Sequence, residues 1–203
     1  MELYDFGYGN LELDPETRDV YEVSLGAEFT ASLSSWVTFY HEQEEDNIVV
    51  TFPRTINYGK TRFQGIEVEV KYDFGRGSYF AMNYSYRRIM SPHTKVRIDW
   101  LIPKHLGNVM ANVRLSNYLN FYASCHIEDG FRRYTGDDRD YMSGYAVVNT
   151  TLIAKKFLKG YEGLELRGSI YNLFDKDYTS PEPQTFPDDM PRPGRHFLVK
   201  VKY

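Results

Sequence analysis

A period of two constrains this chain more than any other feature. Ile66, Val68, Val70 and Tyr72 alternate with Glu67, Glu69 and Lys71. Tyr21, Val23, Leu25, Ala27 and Phe29 alternate in the same way, as do Phe80, Met82, Tyr84 and Tyr86. Further on, Val109, Ala111, Val113 and Leu115 repeat the pattern, then Leu119, Phe121, Ala123, Cys125 and Ile127. Leu164, Leu166 and Ile170 follow, and Phe197, Val199, Val201 and Tyr203 close the chain against His196, Lys200 and Lys202. Side chains along a strand point to opposite faces in turn, so each segment has one apolar and one polar face. Helical spacing is absent, and only the segment from Tyr145 to Phe157 alternates poorly. The reading is all-β and antiparallel, with about nine strands, or ten if the stretch from Leu33 to Phe52 divides in two.

The connections alternate between short and long. Short ones lie near Thr30, Asp73 to Gly77, Ser116 to Tyr118, and Leu158 to Tyr161. Long ones lie near Pro53 to Lys60, Ser91 to His105, Asp129 to Ser143, and Asp175 to Gly194. Short turns on one rim and long loops on the other are the pattern of an outer-membrane β-barrel, whose long loops face outside. The 18 Tyr and 13 Phe suit such a wall, since aromatic rings gather where lipid meets water. Glu67, Glu69 and Lys71 then face a wet lumen. No apolar run approaches the ~18 residues of a membrane helix. A net charge of -4 gives no basic field for nucleic acid. The single Cys125 allows no internal disulfide and reads as a small hydrophobe.

Met1 to Phe6 show neither a charged region nor an apolar stretch of a signal peptide. An odd strand number sends the first and last strands the same way, which cannot close an antiparallel barrel. Together these predict that residues 1–203 form part of a larger barrel, without its signal peptide.

Several segments, in order, resemble a known family. Asn10-Leu11-Glu12-Leu13-Asp14-Pro15-Glu16-Thr17 followed by Val20-Tyr21-Glu22 is similar to a segment of TonB-dependent outer-membrane receptors. Gln64-Gly65-Ile66-Glu67-Val68-Glu69 resembles one of their strands, and Ile102-Pro103-Lys104-His105 with Asn108 resembles a strand entry. Asn172-Leu173-Phe174-Asp175-Lys176-Asp177-Tyr178 closely resembles their penultimate strand end, and Pro193-Gly194-Arg195 with the last strand resembles their ending. The resemblance implies the C-terminal part of a barrel of about 22 strands with a plugged lumen. It implies an outer-membrane location and energy-coupled uptake of a ferric siderophore, cobalamin or glycan. The plug domain and the segment that meets the TonB complex are expected to lie N-terminal to the barrel, outside this chain. The other implied partners are outer-membrane lipid, the small-molecule or metal-chelate ligand, and the barrel-assembly machinery. That machinery would read the last strand through Phe197, Val199, Val201 and Tyr203. Tyr178 is expected near the aromatic girdle.

The densest polar cluster is the loop from Asp129 to Tyr141. Arg132, Arg133 and Tyr134 are the candidate ligand contacts, because guanidinium groups bind acidic ligands through charge-assisted hydrogen bonds. Asp137, Asp138 and Asp140 offer oxygen ligands for calcium, but without EF-hand spacing, so mutual ion pairs within the loop are the simpler reading. The histidines show no metal-binding spacing, and no phosphate loop or cofactor motif is present. The chain reads as carrying neither a catalytic group nor a metal or cofactor site. Two other classes remain as alternatives. One is a small autonomous outer-membrane barrel, either a pore or a protease using His126 with the Asp137 cluster. The other is a soluble β-sandwich binding module, which would bury Ile66, Val68 and Val70 against a second sheet.

Overall fold

The computed structural model describes residues 10–49, 54–90, 103–130, 133, 137–139, 141–182 and 187–203. Phe52, Pro53, Ser91, Ile102, Arg132, Tyr134 and Asp140, named above, lie outside them. Nine strands form one antiparallel sheet: β1 (Thr17–Glu28), β2 (Leu33–Glu45), β5 (Lys60–Gly75), β6 (Ser78–Met90), β7 (His105–Arg114), β8 (Leu119–Glu128), β9 (Tyr145–Lys155), β10 (Glu165–Tyr171) and β13 (His196–Lys202). Two small ribbons stand apart. One pairs β3 (Ile48–Val49) with β4 (Ile56–Asn57), the other β11 (Thr179–Ser180) with β12 (Met190–Pro191). The stretch after Leu33 therefore divides, as Asp46 takes a left-handed φ of 57° and turns the chain out of the sheet. The ribbon that follows belongs to a loop.

Each strand of the large sheet pairs with the next strand of that sheet along the chain, and register keeps chemistry sorted. Leu33, Tyr72, Phe80, Ala111, Ala123, Thr150, Ile170 and Phe197 form one cross-strand row. The opposite face carries the row Trp36, Glu69, Asn83, Asn108, His126 and Val147. A slip of one residue in any ladder would carry that strand's apolar set to the polar face, so the pattern fixes register. Val147 explains the weak alternation of β9. It stands in the polar row yet is buried, with only 7% exposed.

This sheet has no interior of its own. Among the described residues the buried apolar side chains are Phe63, Met142 and Val147. Val23, Leu25, Phe39, Ile127, Leu152 and Val199 lie exposed on the apolar face. No second large sheet covers them among the described residues, as a sandwich would require. Burying such side chains is worth roughly 1.5–3 kcal/mol each, so the face needs an apolar medium.

Two glycines let the polar face carry flat aromatic rings. Trp36 lies across Gly26, its ladder partner, and Tyr40 lies across Gly65, also its partner. A Cβ on either glycine would fall inside the ring's van der Waals surface. Tyr40 then accepts a hydrogen bond from Arg87 Nε at 3.2 Å, and the Arg87 guanidinium stands 5.9 Å from the centre of the Phe63 ring.

Candidate ligand-facing site at the loop rim

The turns at 29–32, 76–77, 115–118 and 156–164 share one rim. The connections at 46–59, 91–104, 129–144 and 172–195 share the other. The family-like segments cluster at this loop rim, and hydrogen bonds there show what their residues do.

Asn172 ends β10. It takes a φ of 51°, which asparagine tolerates better than most residues, and it is 2% exposed. Its Nδ2 donates to Lys176 O at 2.8 Å and to Pro193 O at 3.4 Å, while its Oδ1 accepts from Lys176 N at 2.8 Å. Its own N–H donates to Asn149 Oδ1 at 2.9 Å. Asp175 Oδ1 accepts from Arg195 N at 2.7 Å. The Asn172–Tyr178 segment and the Pro193–Arg195 segment are thus two halves of one knot, which ties the 172–195 loop at its base. Asn10 does similar work at the start of the chain. Its Nδ2 donates to Thr55 O at 2.8 Å and its Oδ1 accepts from Glu12 N, joining this segment to the 46–59 loop.

Above the knot, two loops are braced together. Arg133 forks onto the Asp189 carboxylate, with Nη1 donating to Oδ1 at 3.0 Å. Arg139 forks onto Asp137, with Nε to Oδ1 at 2.9 Å and Nη2 to Oδ2 at 2.6 Å. Arg139 also reaches Asp189 Oδ1 at 3.5 Å and donates to Glu182 O at 2.9 Å. The Arg133, Asp137, Arg139 and Asp189 side chains are 13%, 5%, 19% and 11% exposed, so the pairs are only weakly screened by solvent. Arg133, expected at a ligand, pairs with Asp189 and so ties the 129–144 loop to the segment that leads into β12. Asp137, a candidate calcium ligand, has both oxygens on Arg139. Among the described residues no cluster of His, Cys, Asp and Glu could hold a metal ion. His126, the proposed protease partner of this cluster, sits in the polar row, with Nδ1 2.8 Å from Asn108 Oδ1 and Nε2 3.2 Å from Glu128 Oε2.

These pairs shift the acids. Hydrogen bonds from Arg139 pull Asp137 down to about 2, and Arg133 holds Asp189 below the usual carboxylate range. An acid with a depressed folded pKa stabilises above its unfolded value, and that contribution drains as pH falls through the folded one. The brace should therefore hold from neutral pH down to about 4 and weaken between about 4 and 2. A spin label at Asp138 would report this as mobility that is flat and then rises; a rise already near pH 5 would exclude these carboxylates as the cause. Asp189→Asn should speed proteolytic cutting of the 129–144 loop in the whole receptor while leaving the barrel folded. Equal cutting rates in variant and parent would mean that the brace holds nothing.

Beside the brace is a hollow of about 280 Å³ lined by Met142, Tyr145, Tyr178, Thr179, Pro191 and Arg192, among others. The Tyr145 and Tyr178 rings lie 4.7 Å apart. Tyr145 donates to Glu128 Oε2 at 2.9 Å on the polar face, so Tyr178 turns in over that face rather than out to a girdle. Arg192 N donates to Tyr178 O at 3.0 Å, and its Nε donates to Ser180 Oγ. Sequence reasoning missed this site, because Tyr145 and Tyr178 are 33 residues apart (178 − 145) and only the knot brings them together.

A single sheet with a bare apolar face, a polar opposite face, tight turns on one rim and braced loops on the other is a wall of an outer-membrane β-barrel. Residues 1–173 match the family described as TonB dependent receptor-like, beta-barrel. The chain belongs to that family of outer-membrane receptors, which sets aside the protease and sandwich alternatives. It is 26% identical over 194 residues to the vitamin B12 transporter BtuB of Photobacterium profundum, covering 89% of this chain and 30% of that protein. The fold matches the siderophore receptor PirA of Acinetobacter baumannii with a TM-score of 0.78, at 18% identity, over 96% of this chain and 32% of that one. It matches the closed form of the ferric-catecholate import receptor Fiu of E. coli K12 with a TM-score of 0.77, at 16% identity, over 95% of this chain and 28% of that one. The chain spans about 30% of the length of these relatives.

Proposed function

We propose that residues 1–203 form the C-terminal part of the barrel wall, and part of the ligand-catching mouth, of an energy-coupled outer-membrane transporter. The cargo is an anionic metal chelate such as a ferric siderophore. The observation that carries this reading is the mouth hollow, where the Tyr145 and Tyr178 rings stand beside Arg192 under two braced loops. Aromatic faces with two cations, Arg192 and Lys176, against one acid, Asp177, suit a negatively charged, π-rich chelate better than a neutral glycan or corrin. The neighbouring relatives named for ferric-catecholate import and for vitamin B12 transport give the alternatives to be tested against each other. In this reading Arg133 positions the loop, and Arg132 and Tyr134 of the same loop contribute to ligand capture. The plug and its contact with the TonB complex belong to the rest of the receptor. Phe197, Val199 and Val201 on β13, an edge strand, and Tyr203 just after it are exposed, where the assembly machinery could add a strand.

The test uses the full-length receptor in cells lacking competing receptors, with labelled ferric enterobactin, cyanocobalamin and copper(II) offered separately. Uptake of the ferric catecholate is expected, with Tyr178→Ala and Arg192→Gln each weakening binding about tenfold. Uptake of cyanocobalamin or copper alone would remove the anionic cargo but keep the transporter. Uptake of none, by a folded receptor, would count against both.

A further inference from the structure

The outward face carries a hollow of about 660 Å³, within the range of small-molecule sites, roughly 300–1,000 Å³. Tyr84, Gly107, Ile127 and Ala146 line it and lie in one cross-strand row, on the face that carries Val68 and Val37. Its floor is Gly107, flanked by Tyr84 and Ile127. Nothing in the backbone asks for a glycine there. A Cβ at Gly107 would meet nothing closer than Asn83 O at 3.8 Å and Ile127 Cβ at 3.9 Å, an ordinary contact. Glycine inside a strand weakens it and often marks a place where something else approaches closely. Here the missing side chain keeps the hollow open.

The hollow's upper end is polar, with Lys176 in its lining and Arg88 near by. His105 lines it, with Nδ1 2.6 Å from the Tyr84 hydroxyl and its ring 5.0 Å from that of Tyr86. Lys176, exposed, lines it from the knotted loop. Arg88, also exposed, shares the outward face at this rim, where it pairs with Gln64 across the ladder. Two acids line this end: Asp129, whose Oδ1 accepts from Gly130 N at 2.8 Å, and Glu128, whose Oε2 accepts from Tyr145 on the polar face. An apolar slot continuous with the lipid-facing wall, with the exposed Lys176 and Arg88 at its upper end, matches an amphiphile with an acyl chain and an anionic head. We propose that this hollow seats one acyl chain of a phosphate-bearing, anionic membrane lipid, with Lys176 at the phosphate.

The seat does not depend on which cargo the receptor carries. It distinguishes a retained lipid from the ordinary annulus that every barrel has, and the comparison is built on two glycines. Gly168 also stands on the outward face, between Leu152 and Val199, and a Cβ there would meet nothing within 4 Å. Gly168→Leu therefore adds the same bulk to the same face away from the hollow.

The experiment takes the purified full-length receptor in nanodiscs containing equal phosphatidylglycerol and phosphatidylcholine, and counts retained lipids by native mass spectrometry after release. The parent should retain one phosphatidylglycerol with a preference of about fivefold or more over phosphatidylcholine, the weight of one basic side chain near a membrane surface. Gly107→Leu should abolish retention, Lys176→Gln should keep a lipid but lose the preference, and Gly168→Leu should behave as the parent. Lys176→Gln leaves the backbone bonds of the knot intact, so it tests the head-group contact without disturbing the fold. Equal retention of the two lipids by the parent, or equal loss in Gly107→Leu and Gly168→Leu, would overturn the proposal.

Discussion

Asn172→Ala should strip most folded receptor from the outer membrane. The substitution takes from Lys176 N–H and from the carbonyls of Lys176 and Pro193 a partner whose side chain is itself buried. Each buried group left without its partner costs about 1–3 kcal/mol. Alanine also tolerates the left-handed backbone less well than asparagine. A combined loss of roughly 3–5 kcal/mol follows. The knot holds the exit of β10 to the entry of β13, so the last ladder should lose its register at the rim. The measurement is the heat-modifiable, fast-migrating band of the full-length receptor on an unboiled gel, expected to fall more than tenfold. Asn172→Gly separates the causes, since it restores the backbone freedom and not the bonds. If the alanine variant assembled like the parent, the knot would be decoration rather than the organiser of this rim.

Gly65→Val should be nearly as damaging, for a different reason. A side chain at Gly65 would strike the Tyr40 ring and also the Tyr86 carbonyl oxygen of the neighbouring strand. Tyr40 can swing away, but a ladder carbonyl moves only with its strand. Overpacking of this kind costs about 1–3 kcal/mol and sometimes more. It would also break the Tyr40 to Arg87 hydrogen bond and open the β5–β6 ladder. Gly107→Ala is the matched comparison, and it should be nearly neutral because its Cβ makes only ordinary contacts. Thermal unfolding of the two receptors, side by side, decides the matter. Equal melting temperatures would show that the close approach at Gly65 relaxes without consequence.

Much of the wall is legible in the order of the residues alone. A strand has a fixed side-chain period, so Ile66-Glu67-Val68-Glu69 declares both its conformation and its two faces, and loop lengths declare the two rims. The family-like segments are legible too, but as names without reasons. Sequence shows Asn172 and Pro193 only as members of two motifs in order. It does not show that a side-chain amide on one binds a carbonyl on the other. The division of the stretch after Leu33 is undecidable for a related reason. One left-handed residue, Asp46, ends the strand, and a polar residue at that place is equally compatible with a strand that continues.

The loops mark the limit. Arg133 reads as a ligand contact because an exposed arginine and a paired one look the same in a sequence. Its partner, Asp189, is 56 residues away. The Tyr145–Tyr178 mouth and the Gly107 hollow were hidden in the same way. By itself, the sequence determined what repeats locally: strand, face, register and rim, because backbone geometry ties these to neighbouring residues. Only the tertiary structure decided which loop charges neutralise one another and which spaces stay open, because those depend on distances between segments that no local period encodes.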